Sequence, residues 1–551
     1  MDVLDHDGPL IVGVHEDQSL VSFRPDDMQA RTILEAAAHT ARGGLFCVPG
    51  SPWVLFTQEE RGELGVRRSL VACQVLVGRV VSLVQGRDFF ADVVVNPDGA
   101  EMAWCSWDHP NMPWEAGEIW TASFALDDLS IQVGAASKVA GGIGAPASRP
   151  SFAADGSLLW LMEDQGWARP WRRDVEGRSS PLCTGEIEFG GPFWVLGQRQ
   201  LLEVAGAVCS IEHRGGVASP VLLGASGIRA LDEAASAVDE LCATPTSLAW
   251  ISPTAWTLAS VGVVRPSIGR PSRSLALGPA IDLEPGDVSV ARSVVGESRH
   301  GGAIHGLYYA PASTVHCGLD GELPPVIVFC HGGPTASARA GFDPTVQLMT
   351  SRGFAVVAVN YAGSTGYGAP YRHRLEGAWG LVDVEDCADL ISSLAAQRLV
   401  DGSRAAIRGS SAGGFTALLG LTTGTFCCAV SWYGVADLLS LVESTHDFEA
   451  RYLDGLIGPL PDAMPLYIER SPVSRASEMR GAVLLLQGLD DPVVPVGQAR
   501  SMADALRAKG HEVSLIEFEG ESHGFRRFET LRASLEAEIA FYQEHLCRGI
   551  G

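Results

Sequence analysis

Along the first half of the chain, apolar residues come in short β-type runs broken by turn residues, and little repeats at helical spacing. Phe89 to Val95, the turn Asn96-Pro97-Asp98-Gly99 and then Met102-Ala103-Trp104 read as strand, tight turn and strand. Ser151-Phe152, Asp155-Gly156 and Leu158 to Leu161 repeat that signature, with the turn glycine moved from 99 to 156. A turn recurring at this spacing suggests repeated antiparallel units of the kind that build propeller blades. At roughly 40–50 residues per blade, about 280 residues would hold six or seven. A pair of β-sandwiches is the alternative. Past the Pro-, Ser- and Gly-rich stretch from Arg265 to Gly286 the pattern changes. Apolar runs at Val326–Phe329, Phe354–Val359, Ala405–Ile407, Ala429–Trp432, Val483–Leu486 and Val513–Ile516 alternate with amphipathic segments such as Val384–Gln397 and Val496–Lys509. Strand and helix in alternation predict a mostly parallel, doubly wound sheet covered on both faces.

A chain of 551 residues is too long for one ordinary domain of roughly 100–200 residues. The change of pattern divides it into an all-β unit, 1–280, and an α/β unit, 281–551. Hydrophobic residues at 46% and charged residues at 19% exclude a mainly disordered chain. The formal net charge of −25 repels phosphate backbones and anionic lipid, so neither nucleic acid nor a membrane is an expected partner. No run approaches the length of a membrane span, and the N-terminus is acidic where a signal peptide would be basic. A soluble, cytoplasmic protein is the expectation, with self-association left open. The twelve cysteines, lacking any C-x-x-C pair, read as buried thiols rather than a disulfide framework or zinc site, and no cofactor or metal is called for.

Gly409-Ser410-Ser411-Ala412-Gly413 fits G-x-S-x-G, a pattern that this glycine content would produce roughly 0.6 times by chance. Its context carries the weight. A strand ends at Ile407 and an apolar helix face follows from Phe415, so Ser411 falls on a strand-to-helix turn whose small neighbours permit a strained backbone and an exposed hydroxyl. A serine hydroxyl needs an imidazole base, itself oriented by a carboxylate. In an α/β-hydrolase these follow in the order Ser, Asp, His, each just after a strand. Asp490 and Asp491 follow the strand ending at Leu486, and His523 follows the one ending near Phe518. Asp491 is the preferred acid, because Pro492-Val493-Val494-Pro495 can lock a tight turn directly after it. In His331-Gly332-Gly333-Pro334 two glycines let backbone N–H groups approach a developing oxyanion, with the N–H of Ala412 as second donor.

These elements, together with Asn360 to Gly368, resemble the catalytic domain of the prolyl oligopeptidase family, nearest its acylaminoacyl-peptidase and dipeptidyl-aminopeptidase-like branch. Trp104 to Trp114 and Glu186 to Trp194 resemble propeller segments of bacterial members. The resemblance implies an α/β-hydrolase domain beneath a propeller that limits entry to small substrates. Where relatives place a tyrosine hydroxyl in the oxyanion hole, this chain has its His331 segment, which leaves Gly333 and Ala412 as the donors. Relatives also commonly carry Arg where this chain has Ala362. Glu188 could hold a substrate ammonium group, as acidic propeller residues do in aminopeptidase relatives, or be a surface carboxylate. Trp432, Tyr433 and Phe448 could line a pocket for the side chain beside the scissile bond, or be core.

The expectation is a cofactor-independent serine peptidase acting on short peptides or small aminoacyl or acylaminoacyl amides. The alternative is an esterase or acyltransferase using the same Ser, His and Asp.

Overall fold

The computed structural model of the chain describes residues 2–5, 9–26, 29–63, 65–127, 130–224, 227–266, 271–276 and 283–547. Six antiparallel sheets of four or five strands, each from one continuous stretch of sequence, run from Asp2–Asp5 to Pro271–Ala276. They are the six blades of a propeller, which removes the sandwich alternative. Both turns read from the sequence are present. Gly99 and Gly156 adopt positive φ, and their N–H groups donate to Asn96 and Ala153 carbonyls at 3.0 Å. The same spacing recurs at the inner strands, where Asp92 and Arg149 both have positive φ and the register slips in the strand pairs that contain them. The two side chains meet at 3.2 Å as a buried ion pair. Burial pushes the Asp92 carboxyl up, and Arg149 opposes that rise. The Pro/Ser/Gly-rich stretch is not wholly linker, because Pro271–Ala276 pairs with Ser260–Val264 in the sixth blade. The expected division at 280/281 lies outside the described residues.

The second unit is one eight-stranded sheet. Its strands are β1 (Arg292–Glu297), β2 (Ala303–Tyr309), β3 (Val326–Cys330), β4 (Ala355–Asn360), β5 (Ala405–Ser410), β6 (Cys428–Trp432), β7 (Ala482–Gly488) and β8 (Val513–Phe518). The order is β1-β2-β4-β3-β5-β6-β7-β8, parallel from β4 onward and antiparallel at β1 and β2. The continuous apolar runs follow from burial on both faces. Val326, Val328 and Cys330 enter one core with Leu390, Ile391 and Leu394 of helix α1 (Val382–Ala396), while Ile327 enters the opposite core with Tyr542 and Leu546.

The units meet through charged and backbone contacts. Arg372 reaches Glu163 at 2.7 Å, with both side chains about nine-tenths buried, and Arg68 reaches Asp447 at 2.8 Å. The N–H of Ala340 donates to Gly216 O at 2.7 Å, and that of Ala369 to Gly166 O at 2.8 Å. Among the described residues, no helix is long and apolar enough to cross a membrane. Seven of the twelve cysteines are buried as expected, but Cys242, Cys317 and Cys547 are exposed.

Candidate active site

Ser411 links β5 to helix α2 (Ala412–Gly420) with φ 55° and ψ −123°, a left-handed backbone that non-glycine residues rarely adopt. The surrounding glycines are what make this turn possible. A Cβ on Gly409 would lie 2.2 Å from Gly413 O, and one on Gly413 would lie 2.2 Å from Cys330 O. The hydroxyl is thereby thrust clear of the sheet edge, while the Ser411 N–H is held by Trp432 O at 3.0 Å.

The loops after β7 and β8 deliver Asp491 and His523. Asp491 Oδ1 accepts the N–H groups of Val493 and Val494, each at 2.9 Å, so the Pro-Val-Val-Pro turn does orient this carboxylate. Its Oδ2 accepts from His523 Nδ1 at 2.8 Å, and His523 Nε2 accepts the Ser411 hydroxyl at 3.0 Å. Asp490 is exposed, and among the described residues its backbone N–H donates to Glu521 O at 3.0 Å while its carboxylate has no partner.

The His331 loop lies alongside. Gly333 has φ 118°, and a Cβ there would meet Thr335 N at 2.9 Å. A Cβ on Gly332 would come within 3.7 Å of Ser411 Cβ, which places this loop against Ser411. The Ala412 N–H opens a helix, where donors have no acceptor within the helix. His331 is a scaffold residue. Its Nδ1 donates to Gly332 O at 2.9 Å and its Nε2 accepts from Ser364 Oγ at 2.8 Å, and burial lowers its pKa to about 4.

Ser411, Ala412, Gly333 and His523 border one cavity of about 370 Å³. Its remaining wall is mainly apolar and aromatic, with Trp194, Trp379, Val435, Tyr452 and Leu453, and it includes the carboxylate of Glu449 beside His446. Trp194 comes from the propeller and donates its indole N–H to Thr335 O at 2.8 Å. Tyr452 bonds the Thr335 hydroxyl at 2.6 Å. Two aromatic rings therefore brace the segment that carries Gly333.

The substrate-side expectations need correction. Trp432 is core, 5% exposed, with its indole N–H on Glu538 at 3.2 Å. Tyr433 packs edge-on against the His523 ring at 4.9 Å and supports the imidazole rather than lining the cavity. Phe448 faces an adjoining chamber, edge-on to Phe89. Glu188 is neither a surface group nor part of this cavity. It is buried at the domain interface, where it accepts the Gly368 N–H at 2.6 Å, and burial pushes its carboxyl up. Trp194, Trp379, His446, Glu449 and Tyr452 were not singled out as site residues: Trp194 reaches the cavity only by packing of the propeller on the hydrolase unit, and the other four come from separate segments of the hydrolase unit that only its tertiary fold brings to Ser411.

A strained serine at a strand-to-helix turn, bonded to an imidazole and through it to a carboxylate, defines the serine-hydrolase class of the α/β-hydrolase fold. Comparison with known proteins narrows the class. The prolyl oligopeptidase family matches over residues 340–548. A puromycin-hydrolyzing peptidase of Mycobacterium tuberculosis superposes with TM-score 0.92 at 34% identity, covering 98% of this chain and 85% of that one. The chain belongs to the prolyl oligopeptidase family. It is also 32% identical over 216 residues to dipeptidyl aminopeptidase BIII of Pseudoxanthomonas mexicana, and 31% over 220 residues to the acylamino-acid-releasing enzyme of Arabidopsis thaliana. Those alignments take in 38% of this chain and 31% and 29% of the two relatives.

Proposed function

We propose that this protein is a serine peptidase that hydrolyses short peptides or small aminoacyl amides through an acyl-enzyme, with the propeller limiting substrate size. The observation that carries the reading is the hydrogen-bonded line from Ser411 through His523 to Asp491. Ser411 Oγ attacks the amide carbonyl as its proton passes to His523 Nε2, and Asp491 holds Nδ1–H and stabilises the imidazolium. The carbonyl oxygen becomes an oxyanion facing the N–H groups of Gly333 and Ala412, each such donor worth roughly 3–4 kcal/mol in the transition state. His523 then protonates the departing amine. Water, deprotonated by the same imidazole, releases the acyl group and restores Ser411.

The cavity favours a free amino terminus over a blocked one. Its wall is apolar enough to take the side chain of the acyl residue, and Glu449 is the one carboxylate bordering it among the described residues. Placement of the cavity between the two units supports size selection, since a folded protein presents loops too bulky to reach Ser411.

The experiment is a panel of free aminoacyl, N-acylated and dipeptidyl p-nitroanilides with matched esters and puromycin, run with and without an added amine. Turnover of free aminoacyl amides above their acylated counterparts is expected. Hydrolysis of esters alone, or transfer to the amine in place of hydrolysis, would overturn the reading.

A further inference from the structure

Beside helix α2 lies a buried carboxylate that takes no part in the line from Ser411 to Asp491. Asp383, in the first turn of α1, is fully buried, and no cation pairs with it directly among the described residues. Its Oδ1 accepts the Gly380 N–H at 2.7 Å and its Oδ2 accepts the Thr416 hydroxyl at 2.6 Å. Both partners belong to the surroundings of Ser411. Gly380 follows Trp379, a wall of the Ser411 cavity whose ring packs on Phe415 of α2 at 4.3 Å. Thr416 stands one turn after Ala412 on α2, and its Oγ1 also lies 3.2 Å from Ala412 O.

The Thr416 hydroxyl has one proton and two acceptors within reach. While Asp383 is ionised the carboxylate takes that proton, since a bond to a charged acceptor is roughly twice as strong as one to a neutral carbonyl. Once Asp383 carries a proton of its own, its O–H donates to Thr416 Oγ1 and the Thr416 O–H turns to Ala412 O. A threonine bonded back to the carbonyl four residues earlier bends its helix. Here the bend falls in the first turn of α2, where Ala412 borders the cavity next to Ser411. The change of state is within ordinary pH. Burial pushes the Asp383 carboxyl up to about 6, against the lowering by its bonds from Thr416 and Gly380. Asp386 and Cys387 face it from its own helix and Tyr361 from the loop after β4. Arg374 is turned to Asp386 at 3.5 Å, and Arg470, on the helix Met464–Arg470, to the Gly377 and Trp379 carbonyls at 2.9 and 3.1 Å.

We propose that Asp383 is a positioning residue for the oxyanion donor at Ala412: as a carboxylate it draws the Thr416 hydroxyl off the Ala412 carbonyl and keeps the first turn of α2 straight. This rests on the reading of Ser411 as the nucleophile. Asp383 touches no substrate and acts only through Thr416.

The test is kcat against pH, from 5 to 8, on an aminoacyl p-nitroanilide for the wild type, Asp383→Asn and Asp383→Asn/Thr416→Val. In Asp383→Asn the amide oxygen keeps the Gly380 N–H, so the NH2 donates to Thr416 Oγ1 and the variant holds the protonated arrangement at every pH. Its kcat at pH 8 should be about tenfold below wild type with KM little changed, less than the roughly 10²–10³-fold of a deleted donor because the N–H is tilted and not removed. On acidification the wild type should fall about tenfold further than the single ionisation of His523 accounts for, while Asp383→Asn should show that single ionisation alone. Adding Thr416→Val removes the hydroxyl and should return most of the rate, which loss of a mere tether would not allow. A wild-type acid limb with one ionisation, a wild-type kcat in Asp383→Asn, or a double variant no faster than the single would overturn the proposal. The wild-type profile needs no variant, so it decides even where a variant does not fold. A wild-type protein that takes no fluorophosphonate on Ser411 would instead remove the nucleophile reading beneath it.

Discussion

Replacing Asp491 by Asn tests the chemistry with least disturbance of shape. The carboxylate accepts from Val493 and Val494 N–H at 2.9 Å through Oδ1, and from His523 Nδ1–H at 2.8 Å through Oδ2. An asparagine oxygen can keep the two backbone bonds, so the turn should survive. The amide NH2 then faces His523 and forces the other tautomer, in which Nε2 carries the proton and cannot take one from Ser411. A triad that loses its tautomer in this way loses about 10⁴-fold in kcat, or about 5.4 kcal/mol at 1.36 kcal/mol per decade. Asp490→Asn touches an exposed side chain outside this line and should stay within about twofold. Steady-state kinetics on an aminoacyl p-nitroanilide, with circular dichroism and thermal melts as fold controls, reads both variants. A larger loss from Asp490→Asn, or a folded Asp491→Asn protein retaining a tenth of the wild-type rate, would refute the assignment.

Two further outcomes follow from the same contacts. His331, held to about 4 by burial against 6.5 in an unfolded chain, is neutral in the fold when the unfolded chain already binds a proton. Its contribution to stability is complete above pH 6.5 and is lost as pH falls towards 4, by up to about 3 kcal/mol. Urea unfolding at several pH values should show a shallower acid slope for His331→Gln, and an unchanged slope would count against it. Arg372→Ala leaves Glu163 buried without its partner at the domain interface, which should cost about 3–5 kcal/mol. The Arg372→Ala, Glu163→Gln double variant should recover part of that loss in denaturant melts, and no recovery would mean that the pair does not couple.

The six parallel strands and the order Ser, Asp, His were legible because both are local. A doubly buried strand is a short apolar run wherever it occurs, and each functional loop directly follows one. The leading strands β1 and β2 were not, since the outward residues of β1, Arg292, Ser293, Val295 and Glu297, give it no apolar run. Neighbours in sequence also misled. Trp432 ends β6 facing the core, while Tyr433 turns back at φ 39° to reach His523. Glu188 reads as a solvated acid, yet it is buried and accepts the N–H of Gly368, 180 positions away. The cavity wall has the same character: Trp194 meets Thr335 across 141 positions, and no periodicity in one strand or helix can report such a contact.

The central claim is that Ser411 is the nucleophile, and covalent labelling measures this directly. A fluorophosphonate probe should modify the wild-type protein at one residue, with peptide mass mapping placing the adduct on Ser411. Ser411→Ala should fold, take no label and lose turnover, with His523→Ala adding little to the loss. An adduct mapped to another residue, or undiminished labelling of folded Ser411→Ala, would contradict the account.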